Sequence, residues 1–201
     1  MNLVTLMRGF NIRTRMQGAI AMVLLLLSIV GAIGLFSMSR VDQLGEAFAN
    51  TTYANAVTLA RLRTDLGNVR RFEKDLILSV GTPAKVADYQ AKWQKAMAGA
   101  RTQAATMAEG QNDEGSTFSK AIGQAIEGYA QAAKPVFDIV ATGGSFSVAE
   151  LNDKLSAAKK IIYTAETKVD DLQKHIDEEA QRAVAARAST VQGAYLVFGA
   201  A

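Results

Sequence analysis

The sequence predicts an all-α protein: an antiparallel, up-down-up-down four-helix bundle flanked by transmembrane helices. Three observations carry that prediction. Apolar residues recur at alternating three- and four-residue spacing along four long segments. Only two prolines, Pro83 and Pro135, interrupt the 201 residues. An uncharged apolar stretch stands at each end of a charged body. A sustained period near 3.5 marks helices packed knobs-into-holes, and no Val/Ile/Thr-rich alternation of the strand kind occurs.

Residues 1–15 hold Arg8, Arg13 and Arg15 and no acid. Residues 16–39 are uncharged and centre on AIAMVLLLLSIVGAIGLF, longer than the roughly 20 residues that cross a hydrocarbon core. A secretory signal has a shorter apolar run, about 7–15 residues, and a small-x-small cleavage site. GAIGLFSMSR offers no such site, so the stretch is expected to remain as an anchor. The arginines before it place the N-terminus in the cytoplasm. Residues 40–187 are then expected outside, in the periplasm of a Gram-negative cell. Residues 188–201, ASTVQGAYLVFGAA, carry no charge and read as the truncated start of a second transmembrane helix, with Tyr195 near the interface.

The body reads as helices over about 40–80, 83–109, 113–142 and 147–187. In the first, the seam runs through Val41, Leu44, Phe48, Leu62, Leu66, Val69, Leu76 and Val80. The second repeats through Val86, Tyr89, Trp93, Ala96, Ala100 and Met107, and the third through Phe118, Ile122, Ala125, Tyr129, Ala132, Val136 and Ile139. The fourth is the most regular, from Val148, Leu151 and Leu155 to Leu172 and Ile176. Gly81, Thr82 and Pro83 form the first break, with Thr82 as N-cap and Pro83 at the first helical position. EGQNDEGS (109–116) and TGGS (142–145) form the other two. Pro135 lies inside the third helix, where it should kink it.

Charge and composition exclude several functions. The chain has 22 Lys+Arg against 19 Asp+Glu, a net charge of +3. Setting the three N-terminal arginines apart leaves 19 bases against 19 acids, not the one-signed basic face of a nucleic-acid binder. There is no cysteine and one histidine, so neither a His-based triad nor a metal cluster can assemble within one chain. No enzyme, cofactor or metal site is expected. His175 in LQKHIDEE reads as solvated, and the adjacent acids Asp177, Glu178 and Glu179 as a hydrated face.

The stretch RLRTDLGNVRRFEKD (61–75) concentrates four arginines. Guanidinium groups hold carboxylate or phosphate through two parallel hydrogen bonds. Arg63 and Arg70, seven residues apart, fall on one flank of the seam, while Arg61 and Arg71 point further out. Glu73 falls on the seam itself, where a charge needs a partner, and Arg70 is the near candidate. Counting from the turns at 1.5 Å per residue puts Arg70 level with Trp93, and Arg63 level with Arg101, Tyr129 and Tyr163. The candidate ligand-binding residues are therefore Arg61, Arg63, Arg70 and Arg71, with Tyr129, Tyr163 and Thr164 supplying hydroxyls. A plainer reading stays open. Arg61–Asp65 and Arg71–Asp75 have the spacing of exposed i,i+4 pairs, worth tenths of a kcal/mol each, and the tyrosines can fill core.

The basic start FNIRTRM, the apolar span, four helices with long first and last members, and the phrase VRRFEKDLIL together resemble bacterial methyl-accepting chemotaxis receptors with a four-helix-bundle sensor. The resemblance covers essentially the whole chain, but is motif-like only near residues 61–79. It implies a membrane-bound homodimer that takes a small ligand in the half of the bundle far from the membrane. It also implies signalling by displacement of the fourth helix to cytoplasmic parts that control a histidine kinase through an adaptor. Aspartate-sensing members use three arginines spaced five and four, and a proline-threonine-glutamine turn. Here Arg61 and Arg70 match the outer two, Leu66 stands at the middle position, and helix four opens FSVAELN. The expected ligand is therefore a di- or tricarboxylate rather than aspartate. Alternatives are the sensor of a histidine kinase or cyclic-dinucleotide enzyme, a receptor served by a periplasmic binding protein, and a tethered helical spacer with no ligand.

Overall fold

The computed structural model describes residues 11–109, 114–143 and 145–199. Most of the expected cytoplasmic start, the middle of the 109–116 turn and Gly144 lie outside the described residues. The elements are α1 (Ile12–Ala47), a π-helical stretch (Phe48–Tyr53), α2 (Ala54–Leu78), α3 (Pro83–Ala108), α4 (Glu114–Ala141), α5 (Val148–Lys154) and α6 (Ser156–Gly199). The chain divides into two compact units, one of Met1–Phe48 with Arg182–Ala201, the other Ala49–Gln181. In the first, α1 contains an 18-residue window of mean hydropathy 2.7 with none of it buried in protein. By length and composition this helix can cross a membrane.

In the second unit the helices alternate in direction. Arg63 on α2 meets Asp170 on α6 and Arg70 meets Tyr163, seven residues up against seven down, which is an antiparallel register. Arg101 on α3 bridges to Glu127 on α4, joining the next pair. The core holds Leu59, Leu62, Leu66, Val69 and Leu76 of α2, and an unbroken series on the last helix from Leu151 through Ile162 to Ile176.

Local chemistry sets the ends. Pro83 occupies the first turn of α3 after Thr82, although the Thr82 side chain makes no capping bond. Gly81 (φ +85°) and Gly143 (φ +71°) adopt the left-handed conformation that ends a helix at little steric cost. Ser147 caps α5: its Oγ accepts from the Glu150 N–H at 3.3 Å, and the Glu150 carboxylate accepts from the Ser147 N–H at 2.8 Å.

Three details depart from the periodic reading. FANTTY (48–53), poor in strong helix formers, takes the wider π turn, so the first long helix is not uniform. The fourth helix is interrupted at Leu155, whose ψ of −3° flattens the backbone. Its backbone bonds nevertheless continue (Leu155 N to Leu151 O, 3.1 Å; Lys159 N to Leu155 O, 2.9 Å), and the Leu155 side chain is buried. On α4 the buried positions run Ile122, Ile126, Tyr129, Ala133, Val136, Val140. Ala125, Ala132 and Ile139 are only partly buried, so the inward stripe is carried by the residues one position further on, Ile126, Ala133 and Val140.

Candidate functional site

The arginine-rich face of α2 divides into separate surroundings. On the α6 side, the Arg70 Nη2 donates to the Tyr163 hydroxyl at 3.0 Å, and its guanidinium carbon stands 4.5 Å from the centre of the same ring. Hydrogen bond and cation–π attraction therefore act on one residue. Burial opposes the Arg70 charge, but the Tyr163 bond and the Glu73 and Glu166 carboxylates outweigh it and raise its pKa. The Arg70 Nε and Nη1 are enclosed and have no hydrogen-bond partner. Two turns along, Arg63 donates to Asp170 at 2.6 Å. Arg63, Gly67, Glu166 and Asp170 line a cavity of about 180 Å³ in this groove.

Arg61 faces elsewhere. It lines a shallow depression with Thr64, Asp65 and Gln103, on the α3 side of α2. Arg71 lies over the Phe72 ring at 4.5 Å. Neither of the expected i,i+4 ion pairs forms: Asp65 instead lies against Gly99, where an added Cβ would come within 2.5 Å of its Oδ2. Burial raises the Asp65 pKa. Thr164 is exposed on α6 and donates to the Lys160 carbonyl at 3.1 Å, so its proton is already engaged.

Tyr129 is not at the surface. It is fully buried, donating to Glu73 Oε2 at 2.7 Å and accepting from Trp93 Nε1 at 3.3 Å. Trp93 packs edge-on against Phe137 with centroids 4.8 Å apart. Burial, then the Glu73 charge, pushes the Tyr129 phenol well above its ordinary range. Glu73 is wholly enclosed. Its direct partner is Tyr129 rather than Arg70, because the side chain points into the bundle while Arg70 runs out along the α6 groove. Lys159 Nζ lies 3.9 Å from Glu73 Oε1, near enough to offset charge but beyond hydrogen-bond range, and Oε1 has no hydrogen-bond partner.

The structure therefore brings Arg70 and Tyr163 together, places Arg63 in the same groove, and separates Arg61, Arg71, Tyr129 and Thr164 from them. Tyr163 stands level with Arg70 instead of Arg63. Counting assumed a uniform helical rise, whereas α4 ends at Ala141, the next helix begins only at Val148, and Leu155 flattens the backbone after it. Sequence reasoning also missed Lys159, Glu166 and Asp170. Their spacings from Tyr163 (four before, three and seven after) place them on its face, which is a signal available once Tyr163 is chosen. His175, expected to be solvated, has a side chain only 13% exposed, with carboxylates on either side.

Among the described residues the bundle carries cationic groups along one helix flank and no metal-binding cluster. The chain belongs to the family described as the four helix bundle sensory module for signal transduction, whose profile matches residues 9–187. It is thus a chemoreceptor-type sensor, of a kind typically without enzymatic activity. No curated protein and no solved structure matches the chain.

Proposed function

We propose that the chain is the sensing part of a chemoreceptor for a small anionic ligand, a di- or tricarboxylate, held in the α2–α6 groove. The observation that carries this reading is Arg70. Its guanidinium is fixed by Tyr163, yet two of its nitrogens are enclosed without a hydrogen-bond partner, and Arg63 lies seven residues along the same flank. A carboxylate on those nitrogens satisfies donors that the fold leaves unmet. A second carboxylate reaches toward Arg63 by displacing Asp170, an exposed partner held at modest strength.

Both arginines grip α6 through Tyr163 and Asp170, so a ligand that redirects them loosens α6 against α2. Residues 16–39 act as the membrane anchor, and 40–187 lie in the periplasm. Displacement of α6 then passes to signalling partners beyond this chain, with the receptor working as a homodimer. The test is thermal unfolding of the purified chain in detergent with mono-, di- and tricarboxylates. A ligand at a hundred times its Kd adds about 2.7 kcal/mol, several degrees of Tm, and the shift disappears in Arg70→Ala. If no carboxylate raises Tm in the unaltered chain, the reading is wrong.

A further inference from the structure

A second cavity lies away from the arginines, at the end of the Ala49–Gln181 unit where α3 gives way to α4. It measures about 510 Å³, within the usual range for small-molecule sites. Along α6, His175 is twelve residues beyond Tyr163, about 18 Å at the helical rise. The cavity draws on four places in the sequence: the π-helical stretch and start of α2, the end of α3, the start of α4, and α6.

Its formal charge is one-sided: Glu179 is an acid and no Lys or Arg is among the described lining residues, while Asn50, Thr51, Asn55 and His175 are groups that can donate as well as accept. Ser119 Oγ donates to the Gly115 carbonyl at 2.9 Å, and Thr106 Oγ1 to the Thr102 carbonyl at 2.9 Å. Each hydroxyl has thus committed its proton to backbone and offers only lone pairs to the cavity. Glu179 adds a carboxylate that can only accept. His175 Nε2, 3.5 Å from Glu179 Oε1, is enclosed and makes no hydrogen bond. No Lys or Arg is among the described lining residues, and Met107, Leu172 and Ile176 supply an apolar floor. Asn50 and Thr51 come from the π-helical stretch, a geometry that recurs at functional sites.

We propose that this cavity is a second ligand site, taking a small amine-bearing molecule. Its ammonium group donates to Glu179, Ser119 and Thr106, and its aliphatic body covers Met107, Leu172 and Ile176. The Glu179 carboxylate, the acceptors at Ser119 and Thr106 and the lack of Lys or Arg among the described lining residues suit a cationic donor over the carboxylates proposed for the α2–α6 groove. The two sites differ in ligand charge, so each stands or falls by itself.

The test uses the full chain in detergent with its methionine methyls labelled, the Met107 signal being assigned through Met107→Leu. Butylamine and putrescine are titrated, with butyrate and butan-1-ol as shape-matched controls. The amines are expected to move the Met107 methyl saturably, at concentrations at least tenfold below those at which either control does. Glu179→Gln and Thr106→Val, both at partly or fully exposed positions, should each weaken amine binding about tenfold, while Arg70→Ala leaves it unchanged. Controls that bind as tightly as the amines would overturn the proposal. So would the absence of a saturable amine response, or amine binding unaltered in both Glu179→Gln and Thr106→Val.

Discussion

Arg70 and Glu73 stand three residues apart on α2 and have opposite fates. Arg70 runs out to a half-buried ledge, where it holds Tyr163 and keeps two donors unpaired. Glu73 turns inward and is sealed in a relay with Tyr129 and Trp93. The first arrangement is adaptable: its partner is an exposed tyrosine on the surface of α6. The second fixes structure. A buried carboxylate is tolerated only where Tyr129 and Lys159 meet it, so the relay ties α2, α3, α4 and α6 to one register. One helical turn thus serves both a candidate sensing surface and the lock behind it.

The largest effect is expected from opening the lock. Tyr129→Phe leaves a buried carboxylate without its hydrogen bond and is expected to lower stability by about 2–3 kcal/mol in urea unfolding. Adding Glu73→Leu should recover most of that loss. No recovery in the double variant would mean that Glu73 is not the reason Tyr129 matters.

On the adaptable side the effects should be smaller. Arg70→Ala is expected to change stability by about 1 kcal/mol or less, since its hydrogen bond and cation–π contact are partly open to water. A loss as large as that of Tyr129→Phe would place Arg70 with the lock. The Arg63–Asp170 pair is weaker still. A double-mutant cycle on Arg63→Ala and Asp170→Ala should return a coupling of a few tenths of a kcal/mol, reduced further by salt.

The mildest expected effect is at Asp65. Burial raises its pKa in the folded chain, so the ionised carboxylate works against folding at neutral pH. Below the unfolded value near 3.8 both states are protonated and the penalty vanishes; it grows as pH rises through the folded value. Asp65→Asn should therefore raise Tm slightly at pH 7 and leave it unchanged near pH 3. A gain that persists at pH 3 would assign the effect to packing against Gly99.

Much of this architecture was legible in the chain itself. The last-helix series from Leu151 to Ile176 is buried as its spacing requires, because one helix period decides which residues share a face. Gly81, Pro83 and Gly143 mark helix ends through their own backbone preferences, whatever surrounds them. The arginine concentration and the seam position of Glu73 were visible too. What they would touch was not. Spacing along α2 alone favoured Arg70 as the partner of Glu73, and counting from the turns put Tyr163 beside Arg63. Both readings failed because contacts between helices depend on quantities that no single segment carries.

Those quantities include the break between the end of α4 at Ala141 and the start of α5 at Val148, and the flattening at Leu155. Sequence by itself determined which residues form helices and most of the face each buries, since both follow from local periodicity and backbone preference; on α4 the inward stripe passes through Ile126, Ala133 and Val140 in place of Ala125, Ala132 and Ile139. Only the tertiary structure decided that Tyr129 locks Glu73 while Tyr163 holds Arg70. A shift of one residue, 1.5 Å along the axis and 100° around it, is enough to exchange one partner for another.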